Sequence, residues 1–208
     1  MKRVLLIAHG ELSDREFEKI RRHPVDGIIA ADGGAIHALE RGLVPRYVVG
    51  DLDSVTPEIR VRLPETEFVH RPSQEINDLE KALMFCQELG VEALVLAAIT
   101  GRRLDHTLNN LSVFSRYDQK FRYTMYDAHS RILLIRDRWE YTGPEGQLIS
   151  LIPLGKAEGI TTEGLAFPLN NESLIFGLRE GLSNYIVTNP VRITVQRGLL
   201  CAFVIDPE

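Results

Sequence analysis

Two aspartates, Asp51 and Asp53, directly follow the short apolar run Tyr47–Gly50. The run, with two valines before a glycine, predicts a buried strand with a tight exit. In open α/β sheets ligands gather outside the carboxyl ends of the strands, so these carboxylates stand where chemistry is usually done. Two such groups can share one Mg²⁺, a hard cation that prefers oxygen ligands and keeps waters for phosphate oxygens. A structural alternative is that the segment only makes a turn and caps a helix over residues 56–63.

A glycine-rich turn follows another predicted strand. The apolar residues Gly27–Ala31 run into Asp32-Gly33-Gly34, and a helix is expected over residues 35–41. This order of strand, turn and helix places backbone N–H groups and a helix N-terminus against a phosphate. The turn is neither a GxxxxGK[ST] loop nor a GxGxxG loop, and a plain tight turn explains it equally well.

An aspartate and a lysine stand at the start of a third element. Asn77 is a good N-cap, and Glu80 three residues later gives a pattern close to a capping box. The helix that follows buries a stripe of residues at helical spacing, Leu79, Ala82, Leu83, Cys86 and Leu89. Asp78 and Lys81 then share one flank of the stripe, and Glu80 is expected to face solvent. The structural alternative is that Asp78 compensates the helix dipole and Lys81 is exposed.

Two arginines stand at the exit of a central strand, which is predicted over residues 93–99. The exit contains Arg102, Arg103 and Asp105, and guanidinium groups match the geometry of phosphate oxygens. Asp105 could orient an arginine, hold a metal-bound water or bind a ribose hydroxyl. A helix is expected to follow through residue 114, with its core side formed by Leu104, Leu108 and Leu111. Because all these polar clusters follow strands of one sheet, we interpret them jointly as a site for Mg²⁺ and nucleotide phosphates.

The character of the sequence changes near residue 125. Helical spacing stops, and short β-rich runs separated by Gly, Pro and Asn are typical of a β-sandwich or barrel. The runs are residues 131–135, 147–153, 159–162, 165–169, 184–187, 191–195 and 199–205. The fold class is therefore α/β: residues 1–125 are predicted to form a domain with a Rossmann-like, mostly parallel sheet and flanking helices, which holds the predicted Mg²⁺ and phosphate site. Residues 126–208 form a C-terminal antiparallel β-sandwich.

The bulk composition argues against several classes of protein. The 208 residues carry a net charge of −5, which is unsuited to a general nucleic-acid binder. The longest apolar run, residues 91–99, contains Glu92 and is too short to span a bilayer, so no membrane partner is expected. Cys86 and Cys201 lie in apolar patterns without metal-ligand spacing, which indicates buried free thiols in a reducing cytoplasm.

Taken together, the clusters resemble the thiamine pyrophosphokinase family. The matching segments keep the family's order over nearly the whole chain: residues 32–35, Pro45 with 48–54, 78–82, 101–106 with Asn110, 164–165 and 183–184. The resemblance implies transfer of an intact pyrophosphoryl group from ATP, as co-substrate, to the thiamine hydroxyl, with Mg²⁺ as cofactor and release of AMP. It also implies a homodimer with the thiamine site near the subunit interface, to which the β-sandwich contributes.

The resemblance also implies roles for individual residues. Asp51, Asp53 and Asp78 would hold Mg²⁺ and organise the phosphates, and Arg102 and Lys81 match family positions near them. Asp105 matches an aspartate at a helix start, and either Asp105 or Asp78 could accept the hydroxyl proton. The residues predicted to contact nucleotide or thiamine are Asp32, Gly33, Gly34, Lys81, Arg102, Arg103, Asn110, Ser183 and Asn184.

The sequence departs from the family pattern at a few positions. Asn77 stands where the family usually has threonine, and Thr100 stands where a second glycine is common. Arg103 is an additional arginine, and Tyr185 is nearest to the position where eukaryotic members carry a tryptophan.

Two alternative functions are open. A related pyrophosphokinase could act on a hydroxymethylpterin, or the chain could be a nucleotide- or thiamine-binding module without catalysis. The complete set of carboxylates argues against the second alternative.

Overall fold

The first unit alternates strands and helices, as the sequence predicts. The computed structural model describes residues 1–207, and the chain divides into Met1–Ala128 and a second unit that begins at His129. The elements of the first unit are β1 (Arg3–Ile7), α1 (Asp14–Ile20), β2 (Gly27–Ala31), α2 (Gly34–Glu40), β3 (Tyr47–Gly50), α3 (Pro57–Arg62), β4 (Glu67–His70), α4 (Asp78–Glu88), β5 (Ala93–Ala97), α5 (Leu104–Tyr117) and β6 (Arg122–Tyr126).

The strands of the first unit form a parallel sheet in the order β6-β5-β1-β2-β3-β4. β5 is buried along its whole length, and β1 is buried after its first residue, which explains their continuous apolar sequences. After β4 the chain returns to the far side of β1, so the strand order reverses between β1 and β5. Such a reversal opens a crevice at the carboxyl edge of the sheet.

The cap of α4 matches the sequence prediction, but the surface of the helix does not. Asn77 Oδ1 accepts the backbone N–H of Glu80 at 2.9 Å, as an N-cap should. Glu80 itself is buried, so the prediction that it faces solvent is wrong. Its carboxylate pairs with Arg116 and accepts a hydrogen bond from Tyr117 Oη at 3.2 Å. These contacts show that α5 covers this flank of α4.

The predicted core side of α5 is also wrong. Leu104 and Leu108 are 73% and 52% exposed. The helix buries a different set of residues, Asn110, Val113 and Phe114. Asn110 Nδ2 donates to the carbonyl of Ile99 at 2.8 Å. Because a buried amide without a partner is costly, this bond favours the rotation that turns Asn110 inward and leaves the leucines outside.

The second unit is the predicted antiparallel β-sandwich. Its strands are β7 (Ser130–Ile135), β8 (Arg138–Tyr141), β9 (Leu148–Pro153), β10 (Lys156–Glu163), β11 (Glu172–Ile175), β12 (Gly181–Tyr185), β13 (Val191–Thr194) and β14 (Leu200–Ile205). They form antiparallel layers in the orders β12-β9-β14-β7 and β11-β10-β13-β8. Both layers contribute to one apolar core, with Ile149 and Ala202 from the first and Ile160 and Ile193 from the second. The fold class predicted from the sequence is therefore confirmed.

One predicted strand of this unit is wrong. Residues 165–169 form no strand, and Leu165 makes only an isolated bridge to Ile186. Pro168 lacks the N–H that a ladder needs, which explains the interruption. β8 and β11 were absent from the sequence prediction because their four-residue segments are too short and too polar for alternation to be visible.

The two cysteines are buried and free, as expected. Burial raises the pKa of each thiol to about 12, so neither is a reactive thiolate near neutral pH. Within residues 1–207, the helices are all too short or too polar to cross a membrane.

Candidate active site

A cleft of about 470 Å³ lies at the carboxyl edge of the parallel sheet, where the strand order reverses. The ends of β1, β2, β3 and β5 and the first turns of α4 and α5 form its walls. Several of the predicted site residues line it: Asp32, Gly33, Asp53, Asp78, Arg102, Arg103 and Asn110. α4 and α5 both begin at the edge where the strands end, so their polar first turns lie at the cleft.

Three carboxylates meet beside this cleft, and two of them, Asp32 and Asp78, line it. Asp32, Asp51 and Asp78 each offer an oxygen, and these oxygens lie within 4.8 Å of one another. They come from the exits of β2 and β3 and from the first turn of α4. Gly50 makes the approach possible, because a Cβ there would lie 2.7 Å from Asp32 Cβ and 3.0 Å from Asp78 Oδ1.

Asp32 gives this cluster an unsatisfied acceptor. The side chain is buried, its backbone φ is +41°, and its Oδ1 has no hydrogen-bond partner among the described residues. Burial raises the pKa of Asp32, and the charges of Asp78, Asp53 and Asp51 add to this effect. A buried carboxylate oxygen without a partner is uncommon and calls for an explanation. Together with the hard-oxygen donor set, it fits a divalent cation.

Lys81 holds the other two carboxylates in place. Its Nζ lies 2.8 Å from Asp78 Oδ1 and 3.7 Å from Asp51 Oδ2, and its side chain is only 3% exposed. The alternative of an exposed lysine is therefore wrong. The pKa of Asp51 is lowered, first by a hydrogen bond from Gln74 Nε2 at 2.9 Å and also by Lys81. The ionised form of Asp51 is thus favoured.

Asp53, which was predicted as a ligand of the same metal, lies beside this group. It lines the cleft, and its Oδ1 accepts a hydrogen bond from Ser54 Oγ at 3.1 Å. Among the described residues it is Asp32, which was predicted only as part of the phosphate turn, that joins Asp51 and Asp78. The available signal was that Asp32 directly follows a strand, just as Asp51 does.

Basic residues occupy the loop between β5 and α5. Arg102 lines the cleft from a left-handed backbone conformation with φ +54°. Arg103 Nη2 lies 2.5 Å from Asp105 Oδ2, and this hydrogen bond is the main cause of the lowered pKa of Asp105. Both partners are well exposed, and Asp105 is not part of the cleft lining. Of the roles considered for Asp105, its contacts match that of orienting an arginine.

Two protein-family models match this chain, one in each of its two units. Residues 23–126 match the family model described as the catalytic domain of thiamin pyrophosphokinase, and residues 135–200 match its vitamin B1 binding domain. The chain belongs to the thiamine pyrophosphokinase family. The family predicted from the sequence is confirmed, and with it the prediction that the protein is an enzyme.

Similar proteins come from bacteria, animals and plants. A thiamine pyrophosphokinase of Bacillus subtilis (strain 168) is 25% identical over 179 residues, covering 83% of this chain and 84% of that protein. A thiamine pyrophosphokinase 1 of Oryza sativa subsp. japonica is 29% identical over 172 residues, covering 75% of this chain and 64% of that protein.

Solved thiamine pyrophosphokinases share the fold. The structure from Bacillus subtilis aligns with a TM-score of 0.82 at 22% identity and covers 100% of both chains. The structure from Candida albicans also gives a TM-score of 0.82, at 16% identity, covering 99% of this chain and 89% of that one.

His9 is a cleft residue that was not predicted from the sequence. It follows β1 and lines the cleft, and a Cβ at Gly33 would lie 2.1 Å from its Nδ1. Burial lowers the pKa of His9, with smaller contributions from Arg102, His37 and His106. In sequence His9 only ends an apolar run, so no local pattern points to the cleft.

Ser183 and Asn184 lie on β12, within the segment that matches the vitamin B1 binding domain. Asn184 is buried, and its side chain accepts from the N–H of Phe167 at 3.0 Å and donates to the carbonyl of Phe167 at 2.7 Å. Ser183 is exposed, has φ +54°, and donates its N–H to Ser150 Oγ at 3.0 Å. Asn184 therefore ties β12 to the backbone at Phe167, and Ser183 is the member of the pair that presents its side chain to solvent.

Proposed function

We propose that this protein transfers the pyrophosphoryl group of ATP to the hydroxyl of thiamine, giving thiamine diphosphate and AMP. The observation that supports this most is a combination: both family models match along the chain, and the catalytic unit contains a cleft that joins clustered carboxylates with Arg102. Transfer of a phosphoryl-type group depends mainly on positioning and charge stabilisation, which such a site can provide.

Mg²⁺ is the proposed cofactor, and the acidic side of the cleft fits it. Asp32, Asp51 and Asp78 would hold the ion, and Asp53, as part of the same wall, would support them. When bound there, the ion would neutralise charge on the phosphate oxygens. The unpartnered Oδ1 of Asp32 supports the assignment, because a cation would satisfy it.

The chain's own cations have different tasks in this proposal. Lys81 is already engaged with Asp78 and Asp51, so it keeps those carboxylates in position. Arg102, exposed in the cleft, is available to hydrogen-bond with the phosphate oxygens, and Arg103 adds positive charge next to it. The turn at Gly33 and Gly34 lets the backbone come close to the nucleotide. Asn110, in the second turn of α5, accepts a hydrogen bond from Asn77 Nδ2 at 3.1 Å and so links α5 to the cap of α4.

The acceptor of the thiamine proton is best assigned to Asp78 rather than Asp105. Asp78 lines the cleft, whereas Asp105 is outside the cleft lining. A general base must reach the proton that it abstracts, and only Asp78 is in the cleft wall.

We also propose that Ser183 and Asn184 contact thiamine and that the protein is a homodimer. β12 is an edge strand, and Leu182 and Tyr185 on it are 72% and 39% exposed. The ring of Tyr185 lies 5.9 Å from that of Phe167, which is 66% exposed. An exposed apolar edge strand is a surface that proteins usually cover. Light scattering in solution would test this, and a monomer at micromolar concentration would exclude it.

Incubation of the purified protein with ATP, Mg²⁺ and thiamine tests the function. We expect AMP and thiamine diphosphate in equal amounts, resolved by chromatography. Turnover with a hydroxymethylpterin in place of thiamine would instead support the related pyrophosphokinase. Calorimetric binding of ATP without release of AMP would support a module without catalysis.

A further inference from the structure

Glu16 is a buried carboxyl that the proposed reaction does not use. It lies in the first turn of α1 and is 1% exposed. Its spacing from Ser13 is that of a capping box, and Ser13 Oγ accepts the N–H of Glu16 at 3.1 Å. The carboxylate, however, does not return to Ser13. Its Oε1 accepts the backbone N–H of Ala98 at 2.8 Å, from a residue 82 positions away.

Ala98 begins a strained loop at the exit of β5. Its φ is +55°, and within the same loop Gly101 and Arg102 have φ of +80° and +54°. Non-glycine residues rarely adopt this conformation, which persists only where the surroundings impose it. Ala98 is fully buried, so its N–H would have no access to water if Glu16 were removed.

The opposite side of this loop is fixed by the exit of β1. Gly10 N donates to Ala98 O at 2.7 Å, and Glu11 N donates to Thr100 O at 2.7 Å. A Cβ at Gly10 would lie 2.2 Å from Thr100 O. Residues 98–100 are therefore held from both sides just before the chain presents Arg102 to the cleft.

We propose that Glu16 is a positioning residue that holds Ala98 and thereby sets where Arg102 meets an anionic substrate. The effect on turnover rests on the proposed function, because it requires phosphate oxygens beside Arg102. The role requires an acceptor oxygen at the position of Oε1, whatever the charge of the side chain. Lys19, Asp127 and Glu11 are the charged groups that act on Glu16, and their effects on its pKa are smaller than that of burial.

Three variants of Glu16 separate position from charge. Glu16→Gln keeps an acceptor oxygen, Glu16→Asp keeps the charge but withdraws the oxygen, and Glu16→Leu keeps only the volume. We expect Glu16→Leu and Glu16→Asp to raise the KM for ATP and lower kcat/KM by about 10- to 100-fold, with Glu16→Gln within about threefold of wild type.

The matched control is Phe121→Ala, which is also buried but directly precedes β6, at the edge of the sheet opposite the cleft. It should lower Tm without changing the KM for ATP, because its ring packs against Tyr123 and not against the loop. A purely structural role of Glu16 would give the same pattern as this control and would overturn the proposal. Activity of Glu16→Asp equal to that of Glu16→Gln would overturn it as well, because position would then not matter.

A double variant tests whether Glu16 acts through Arg102. Arg102→Ala combined with Glu16→Leu should lose no more activity than Arg102→Ala alone. Fully additive losses would show that Glu16 acts elsewhere and would overturn the proposed route.

Hydrogen exchange of the Ala98 amide provides a readout that does not depend on turnover. The amide should be protected in wild type and Glu16→Gln and should exchange at least about tenfold faster in Glu16→Asp, while amides of β1 keep their rates. If the wild-type protein forms no AMP, the proposed function fails while this measurement still tests the hold on Ala98. Unchanged protection in Glu16→Asp would overturn the hold itself.

Discussion

The two walls of the cleft are built in different ways. In the acidic wall, Asp51 and Asp78 are part-buried side chains whose positions are set by another buried side chain, Lys81. In the basic wall, Arg102 is exposed, and its position is set by the backbone of residues 98–102. The acidic wall is therefore sensitive to changes in its own side chains. The basic wall depends on distant residues that hold its backbone.

The largest effect should come from the acidic wall. Asp51→Asn removes a charge that the cation site needs, and turnover should fall by about 1,000-fold or more while the circular dichroism spectrum is unchanged. AMP release measures the loss. Glu58→Gln, an exposed change on α3, is the matched control and should keep full activity. Near-normal activity of Asp51→Asn would remove the metal assignment.

In the basic wall, the two arginines should differ. Arg102→Ala should lower kcat/KM by about 100-fold, because it removes a donor that faces the cleft. Arg103→Ala should cost less than about fivefold, because exposed ion pairs such as that of Arg103 with Asp105 contribute little. Steady-state kinetics with varied ATP measure both values. The reverse order would mean that Arg103 is the phosphate contact.

Glu16, which supports the basic wall through Ala98, should affect the pH dependence of the free energy of unfolding. Burial raises the pKa of Glu16 from 4.5 to about 7, so between these values the folded state binds more protons than the unfolded state. The contribution of Glu16 therefore becomes less favourable as pH rises through this window. Relative to Glu16→Gln, wild type should lose about 2–3 kcal/mol between pH 4 and pH 8. Urea unfolding at several pH values measures this, and parallel curves for the two proteins would contradict it.

A smaller effect, on Tm, should show which carboxylates of the acidic wall hold Mg²⁺. Mg²⁺ at tenfold its dissociation constant should raise the wild-type Tm by about 3–5 °C, since it binds only the folded chain. Asp32→Asn should abolish the shift, whereas Asp53→Asn should retain most of it. The opposite result would return Asp53 to the metal site in place of Asp32.

Much of the first unit could be predicted because its signals are local. Gly27–Ala31 and Tyr47–Gly50 are strands over those residues, since turn residues bound each apolar run. Asn77 caps α4 through its own neighbour Glu80, which is a local interaction as well. The presence of Asp51, Asp78 and Arg102 at one edge follows from parallel pairing alone.

The rest of the fold and of the site depends on contacts between residues that are distant in the sequence. Periodicity placed Leu104 in the core, but the hydrogen bond of Asn110 with Ile99 favours another rotation of the helix. Glu16 is a capping residue by pattern, and only the fold shows its bond to Ala98. Whether Asp32 or Asp53 joins the carboxylate cluster is likewise decided by the positions of neighbouring strand ends, which the sequence does not encode locally.

The return of the chain to pair β5 with β1 has a consequence for biosynthesis. The residues that line the cleft begin at Ala8 and end at Asn110, so a nascent chain that has released only the elements from β1 through α4 has an acidic wall without its basic counterpart. Nucleotide capture must therefore wait until the fifth strand has inserted beside the first. Ligand present during translation would then stabilise the finished sheet and none of the shorter intermediates.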